Sequence, residues 1–185
     1  MKKVFIMAAL AMASLTGCDK VTHDFKVENV KLNFEATTEE NAAAKSVMTG
    51  TAIDVKSKFS VTREVNLAEI SSSELMEYKD RISKVSAENL SLEVTFTPAG
   101  NYTIEDLTLT AKGVTESLEI ASYKSGEKFI PPKNLNSFTS AFFKKLISAG
   151  KLEVTVEGKT DAPKGVKVKV SYGYDLVFTA KLKSE

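Results

Sequence analysis

The stretch VKVKVSYGYDLVFTAKL, residues 166–182, decides the fold of this chain. All nine even positions, from Val166 to Leu182, are apolar, and the odd positions are polar or small except Val177. Successive side chains of a β-strand point to opposite faces, so this pattern predicts a long strand with one face in the core. At ~3.4 Å per residue the strand would extend roughly 55 Å, which is long for a small sheet. We therefore expect it to bend at Gly173 or to serve two sheets.

Shorter apolar and alternating segments precede this strand. They predict strands at residues 27–36, 47–55, 59–65, 90–96, 104–111, 118–123 and 152–156. The last of these is expected to form a hairpin with the 166–182 strand through the loop around Asp161, Pro163 and Gly165. Residues 37–45, which include Glu39, Glu40 and three alanines, suit either a long loop or a helical turn.

Two short helices are also predicted. Ser71 and Glu74 have the spacing of a capping box, which favours a helix over about 72–80. After Pro131 and Pro132, apolar residues at helical spacing predict a second helix that Asn136 caps and Gly150 ends; they are Phe138, Ala141, Phe142, Leu146 and Ala149. About eight strands with two short helices predict an all-β, immunoglobulin-like β-sandwich, with a closed antiparallel β-barrel as the alternative.

The first 18 residues contain a second informative pattern. Lys2 and Lys3 precede an apolar run that is too short to span a bilayer. Leu15, Thr16, Gly17 and Cys18 follow, and the whole segment resembles the signal peptide and lipobox of bacterial lipoproteins. That resemblance implies cleavage before Cys18 and a diacylglycerol on its sulfur. We accordingly divide the chain into a signal peptide (1–17), a tether (18–26) and one β-sandwich domain (27–185).

The same resemblance implies a place for the protein. Lipidated Cys18 would hold it to a membrane of the bacterial cell envelope, since two or more acyl chains anchor stably. Cys18 is the only cysteine, so no intramolecular disulfide can form. We expect attachment to the outer membrane, and the sequence leaves open whether the domain faces the periplasm or the cell surface.

Charge and composition restrict the partners. The chain has 25 basic and 24 acidic side chains, and removal of residues 1–17 takes away only Lys2 and Lys3, which leaves a formal charge of −1. This balance argues against nucleic acid as a partner. Tryptophan is absent, which weakens a glycan-binding hypothesis but leaves four tyrosines as possible platforms: Tyr102, Tyr123, Tyr172 and Tyr174.

The sequence contains no pattern that predicts catalysis, a metal or a cofactor. The only histidine, His23, falls in the predicted tether, where a solvated linker residue is expected. The carboxylate pairs are interpreted as solvated surface groups or as the start of a helix; they are Glu39 with Glu40, Glu74 with Glu77, and Glu105 with Asp106. The lysines along the last strand are interpreted as protection of an exposed sheet edge; they are Lys167, Lys169, Lys181 and Lys183.

FTSAFF at 138–143 followed by LEVTVEG at 152–158 and the long strand loosely resembles small uncharacterised β-sandwich lipoproteins of Bacteroidetes. These patterns favour a non-catalytic binding or assembly module of the envelope, with a possible envelope protein as its partner. One alternative is a subunit that resembles fimbrillins, which would require trimming at Arg63 or Arg81 in an accessible loop. Another is a carrier of lipids or small ligands with a barrel cavity.

Overall fold

The structure, a computed structural model, describes residues 21–40 and 56–182. Within these ranges it contains seven β-strands and two α-helices. In chain order they are β1 (Thr22–Thr37), β2 (Ser57–Asn66), α1 (Ser73–Tyr78), β3 (Ile82–Thr97), β4 (Thr103–Ala111), β5 (Leu118–Lys124), α2 (Leu135–Ala149), β6 (Lys151–Thr160) and β7 (Lys167–Lys181). The predicted strand at 47–55, and residues 41–45 of the undecided segment, lie outside the described residues.

The strands form two antiparallel sheets, ordered β1-β7-β3 and β2-β6-β4-β5. Their inner faces share one core that includes Phe34, Leu109 and Tyr172. The all-β sandwich is therefore confirmed, and the closed-barrel alternative is wrong. An immunoglobulin domain places its first, second, fourth and fifth strands in one sheet. The described strands thus have the two-layer architecture of that fold but a different strand order.

The predicted long strand is confirmed as β7, the centre of the three-stranded sheet. It pairs with both neighbours over its length, and its even positions from Val168 to Ala180 are buried. It remains within one sheet, so the expectation that it serves two sheets is wrong. Its two neighbours are bulged: β1 shifts register between Val27 and Val30, and β3 shifts between Ala87 and Asn89.

These two bulges explain why β1 and β3 begin earlier than predicted. Before its bulge, β1 buries the odd-numbered Phe25, and after it the even-numbered Val30 and Leu32. An extra residue in a strand reverses which positions face the core, so a search for uninterrupted alternation stops at the bulge. The predicted tether over 18–26 is consequently too long, because residues 22–26 belong to β1.

The predicted hairpin between β6 and β7 is wrong, because the two strands lie in different sheets. The loop between them crosses from one layer to the other. Thr38, just after β1, fixes it: its hydroxyl donates to the Pro163 carbonyl oxygen (2.6 Å) and accepts from the Val166 N–H (3.0 Å). Alternation shows only that each strand buries one face, and facing sheets satisfy that as well as adjacent strands do.

Both helices form, with caps that differ from the prediction. The Leu75 N–H donates to the Ser72 hydroxyl (3.0 Å) at the start of α1, whereas Ser71 donates to the Ala68 carbonyl oxygen. Helix α2 follows Asn134 rather than Asn136 and ends, as predicted, at left-handed Gly150 (φ 76°). No helix in the described ranges is long and apolar enough to cross a membrane.

Candidate functional site

The lipobox residues Leu15, Thr16, Gly17 and Cys18 lie outside the described residues, so the predicted anchor has no geometry here. The described part of the chain begins three residues after Cys18. Val21 is the first described residue, and its carbonyl oxygen accepts from the Leu182 N–H (2.8 Å). The two ends of the described chain therefore lie together. We call this end of the sandwich the N-terminal pole; it comprises Val21, α1, the 3₁₀ turn Lys79–Arg81 and the C-terminal end of α2.

His23 lies in this pole and is not the linker residue expected. It sits in β1, where its Nε2 atom is 2.8 Å from Glu74 Oε1 on α1. The Tyr78 ring lies against the imidazole at 5.1 Å between centroids, and the Arg81 guanidinium lies 4.8 Å from the centroid of the Tyr78 ring. Desolvation of the hydroxyl, followed by the neighbouring charge of Glu77, raises the pKa of Tyr78. These contacts join α1 to the first residues of β1.

A cleft of about 690 Å³ opens beside this cluster, between the turn Lys79–Arg81 and the end of α2. Lys79 of the turn and Lys144 of α2 are among its lining residues, and neither makes an ion pair with a carboxylate of the described chain. Asp80 contributes a carboxylate to the same lining. Half-buried Ile82 and Ile147 supply apolar walls. The cleft thus presents both signs of charge beside an apolar surface.

Exposed apolar side chains concentrate at the same pole. Across residues 21–40 and 56–182 the large apolar residues with high exposure are Val21 (64 %), Met76 (46 %) and Ile130 (80 %). Val21 precedes β1 and Met76 lies on α1, so two of the three belong to the N-terminal pole. Single exposed apolar residues are ordinary, so Val21 and Met76 are of interest for their position at this pole and not as a contiguous patch.

A second cleft, of about 320 Å³, lies on the outer face of the three-stranded sheet. Asp175 occupies it and accepts from the Asn29 N–H (2.9 Å) and from Asn89 Nδ2 (2.8 Å), which bridges the bulges of β1 and β3. These two hydrogen bonds, with the charge of Lys26, lower the pKa of Asp175. Donors from β1 and β3 already engage both carboxylate oxygens. We therefore interpret Asp175 as a structural brace between these two strands and not as a ligand-binding group.

The carboxylate pairs are held by partners from elsewhere in the fold. Glu105 contacts Lys56 (2.6 Å) and Asp106 contacts Lys159 (2.6 Å), and the hydrogen bond and charge of Lys159 lower the pKa of Asp106. Glu39 forms a backbone bridge with Lys58. No group of three or more histidine, cysteine, aspartate or glutamate side chains capable of holding a metal occurs in the described part of the chain.

Two surface interpretations from the sequence are corrected. The lysines of β7 do not protect an edge, because β7 is the central strand; Lys169 lies 3.6 Å from Glu35 of β1. Three of the four candidate tyrosine platforms are buried, namely Tyr123, Tyr172 and Tyr174. Burial raises the pKa of Tyr172 and of Tyr174. Only Tyr102 is partly exposed, and its ring packs edge-on against Phe96.

The outer edge of β1 has few partners among the described residues. β1 pairs with β7 on one side, and on the other the described residues form only the Glu39–Lys58 bridge just beyond its end. Side chains partly cover the edge of β3, where the Tyr123 hydroxyl donates to the Leu92 carbonyl oxygen and the Ser125 hydroxyl to that of Val94.

No family model, characterised protein or solved structure matches this chain.

Proposed function

We propose that this chain is a lipoprotein of a bacterial envelope that is anchored through Cys18 and acts by binding rather than by catalysis. The lipobox at residues 15–18 supports the anchor. The structure adds one observation about its length: β1 is already paired with β7 at Thr22, four residues after Cys18. Four residues extend to at most about 14 Å. The N-terminal pole would therefore be held at the membrane surface.

The exposed side chains of the N-terminal pole suit a position close to a membrane surface. The headgroup layer of one leaflet is about 5–7 Å thick, so a tether of at most about 14 Å would keep the domain within roughly 10 Å of the headgroups. Met76 and Val21 are exposed at this pole, and Lys79 and Lys144 line its cleft without an ion-pair partner among the described residues. Apolar side chains with nearby cations are favourable at the boundary between lipid and water.

The binding role is supported by the edge of β1. This strand is 16 residues long and runs away from the N-terminal pole, so most of its outer edge would stand clear of the membrane. Open strand edges bind extended peptides by adding a strand to the sheet. The partner proposed here is an extended segment of another envelope protein. The bulge at Val27–Val30 would confine pairing to the part of β1 beyond it.

The alternatives receive less support. A fimbrillin-like subunit would need an accessible basic residue, but Arg63 lies within β2 with its guanidinium 4.8 Å from the centroid of the Phe34 ring. Arg81 lies in a turn, yet cleavage there would separate β1 and β2 from the rest of the core. A carrier would need a barrel, and the sheets form a sandwich.

Metabolic labelling with a palmitate analogue tests the anchor. The wild-type chain should incorporate the label and fractionate with membranes, and Cys18→Ala should do neither. Ser14→Ala, which changes a small residue outside the lipobox, is the matched control and should behave as wild type. Equal labelling of wild type and Cys18→Ala would refute the anchor.

A further inference from the structure

We propose that the cleft at the N-terminal pole binds a phosphoethanolamine headgroup of the bilayer to which the protein is anchored. The inference rests on the proposed function, because the short tether is what turns this pole toward lipid. It goes further by naming a site, a ligand class and the residues that recognise it.

The positive part of the site consists of Lys79 and Lys144. Both residues line the cleft and are exposed, and neither side chain makes an ion pair with a described carboxylate. They come from separate elements, the 3₁₀ turn after α1 and the last turns of α2, so the fold brings them to one opening. Two lysines that line one cleft favour a ligand with an anionic oxygen cluster, such as a phosphodiester.

The negative part of the site argues against a simple anion. Asp80 lies in the same lining, and the C-terminal end of α2, with Ser148 and Gly150, forms part of the wall. A helix C-terminus carries a partial negative charge. A ligand that carries a phosphate and an ammonium group satisfies both halves. A phosphoethanolamine headgroup has this arrangement, and its primary ammonium can donate to a carboxylate or a carbonyl oxygen.

The remaining features suit a lipid rather than a soluble zwitterion. Ile82 and Ile147 give the cleft an apolar wall against which a glycerol backbone can lie. Met76 is exposed on the adjacent helix α1 and can enter the upper part of the leaflet. The occupant is therefore taken to be a headgroup presented by a membrane.

Vesicle flotation of the unlipidated mature chain, Cys18→Ala, tests this inference without the anchor. Vesicles of phosphatidylethanolamine mixed with phosphatidylglycerol should carry the protein to the top of the gradient. The double variant Lys79→Gln/Lys144→Gln should partition at least about tenfold more weakly, because a lysine near an anionic surface contributes about fivefold. Lys133→Gln/Lys167→Gln removes two exposed lysines away from this pole and is the matched control, with binding close to wild type.

Headgroup choice tests the zwitterionic part. Replacing phosphatidylethanolamine by phosphatidylcholine removes the ammonium hydrogens, so partitioning should fall several-fold, and Asp80→Asn should abolish that difference. The inference is overturned if wild type does not float, if both lysine pairs weaken binding equally, or if the two lipids are bound alike. Binding of soluble glycerophosphoethanolamine without vesicle binding would also overturn it. Because Cys18 is absent from every arm, none of these results bears on the palmitate experiment.

Discussion

Phe25→Ala asks whether the domain begins at Thr22, on which the short tether depends. Phe25 is 5 % exposed, and its ring lies 5.3 Å from that of Phe178 and 5.9 Å from that of Tyr78, between centroids. Truncation of a buried phenylalanine costs about 3–5 kcal/mol of the free energy of unfolding. Because Phe25 lies near the end of the sandwich, where the site can partly relax, we expect a loss of about 3 kcal/mol.

The change should be measured on the unlipidated mature chain by urea unfolding, followed by far-UV circular dichroism because tryptophan is absent. For a domain of this size, about 3 kcal/mol corresponds to a fall in Tm of roughly 6–12 °C. Val21→Ala, at an exposed apolar position four residues earlier, should change the free energy by less than about 0.5 kcal/mol. If Phe25→Ala cost less than about 1 kcal/mol, residues 22–26 would be a tether, and the N-terminal pole would not be held at the membrane.

Three further outcomes follow from local geometry. Asp175→Asn should lower the free energy of unfolding by about 1 kcal/mol at neutral pH. Because the folded pKa of Asp175 is lowered, its contribution is present above the unfolded value of about 3.9 and is lost as pH falls through the folded pKa. The gap should therefore close in acid, and a gap that persists there would contradict the proposed brace. Gly150→Ala should cost about 1 kcal/mol in thermal unfolding, because alanine resists the left-handed conformation at the end of α2; an unchanged Tm would exclude that role. Ser72→Ala should cost about 1 kcal/mol and Ser71→Ala clearly less, since Ser72 caps α1; equal losses in urea unfolding would count against the assigned cap.

The layers of this fold could be predicted from sequence because most strands bury one face without interruption. The alternation of β7 and the helical spacing of Phe138, Phe142 and Leu146 in α2 both correspond to the positions that are buried. The bulges in β1 and β3 interrupt this pattern, because each bulge changes whether odd or even positions of the strand face the core. Sheet membership was also hidden, because the pattern of β6 is the same whichever layer its neighbours occupy.

The cleft at the N-terminal pole could not be found in the sequence. Lys79 and Lys144 lie on elements far apart in the chain, and nothing local to either predicts the other. His23 was misassigned for a related reason: its partners Glu74 and Tyr78 come from α1, and its own strand lay beyond the bulge. Cys18 could be proposed as an anchor from the sequence alone because a lipobox is a pattern of consecutive residues that does not depend on the fold.

The central position of β7 governs the order in which the chain can mature. Neither β1 nor β3 has its partner in the three-stranded sheet until β7 has been synthesised, so this layer can assemble only after the chain has been made as far as Lys181. Pairing the first strand with the last has a large loop-closure cost, which makes folding slow. If the chain is exported as proposed, this delay would help to keep it unfolded until it has crossed the membrane. A product truncated before residue 167 would lack the middle of that layer and be open to proteases.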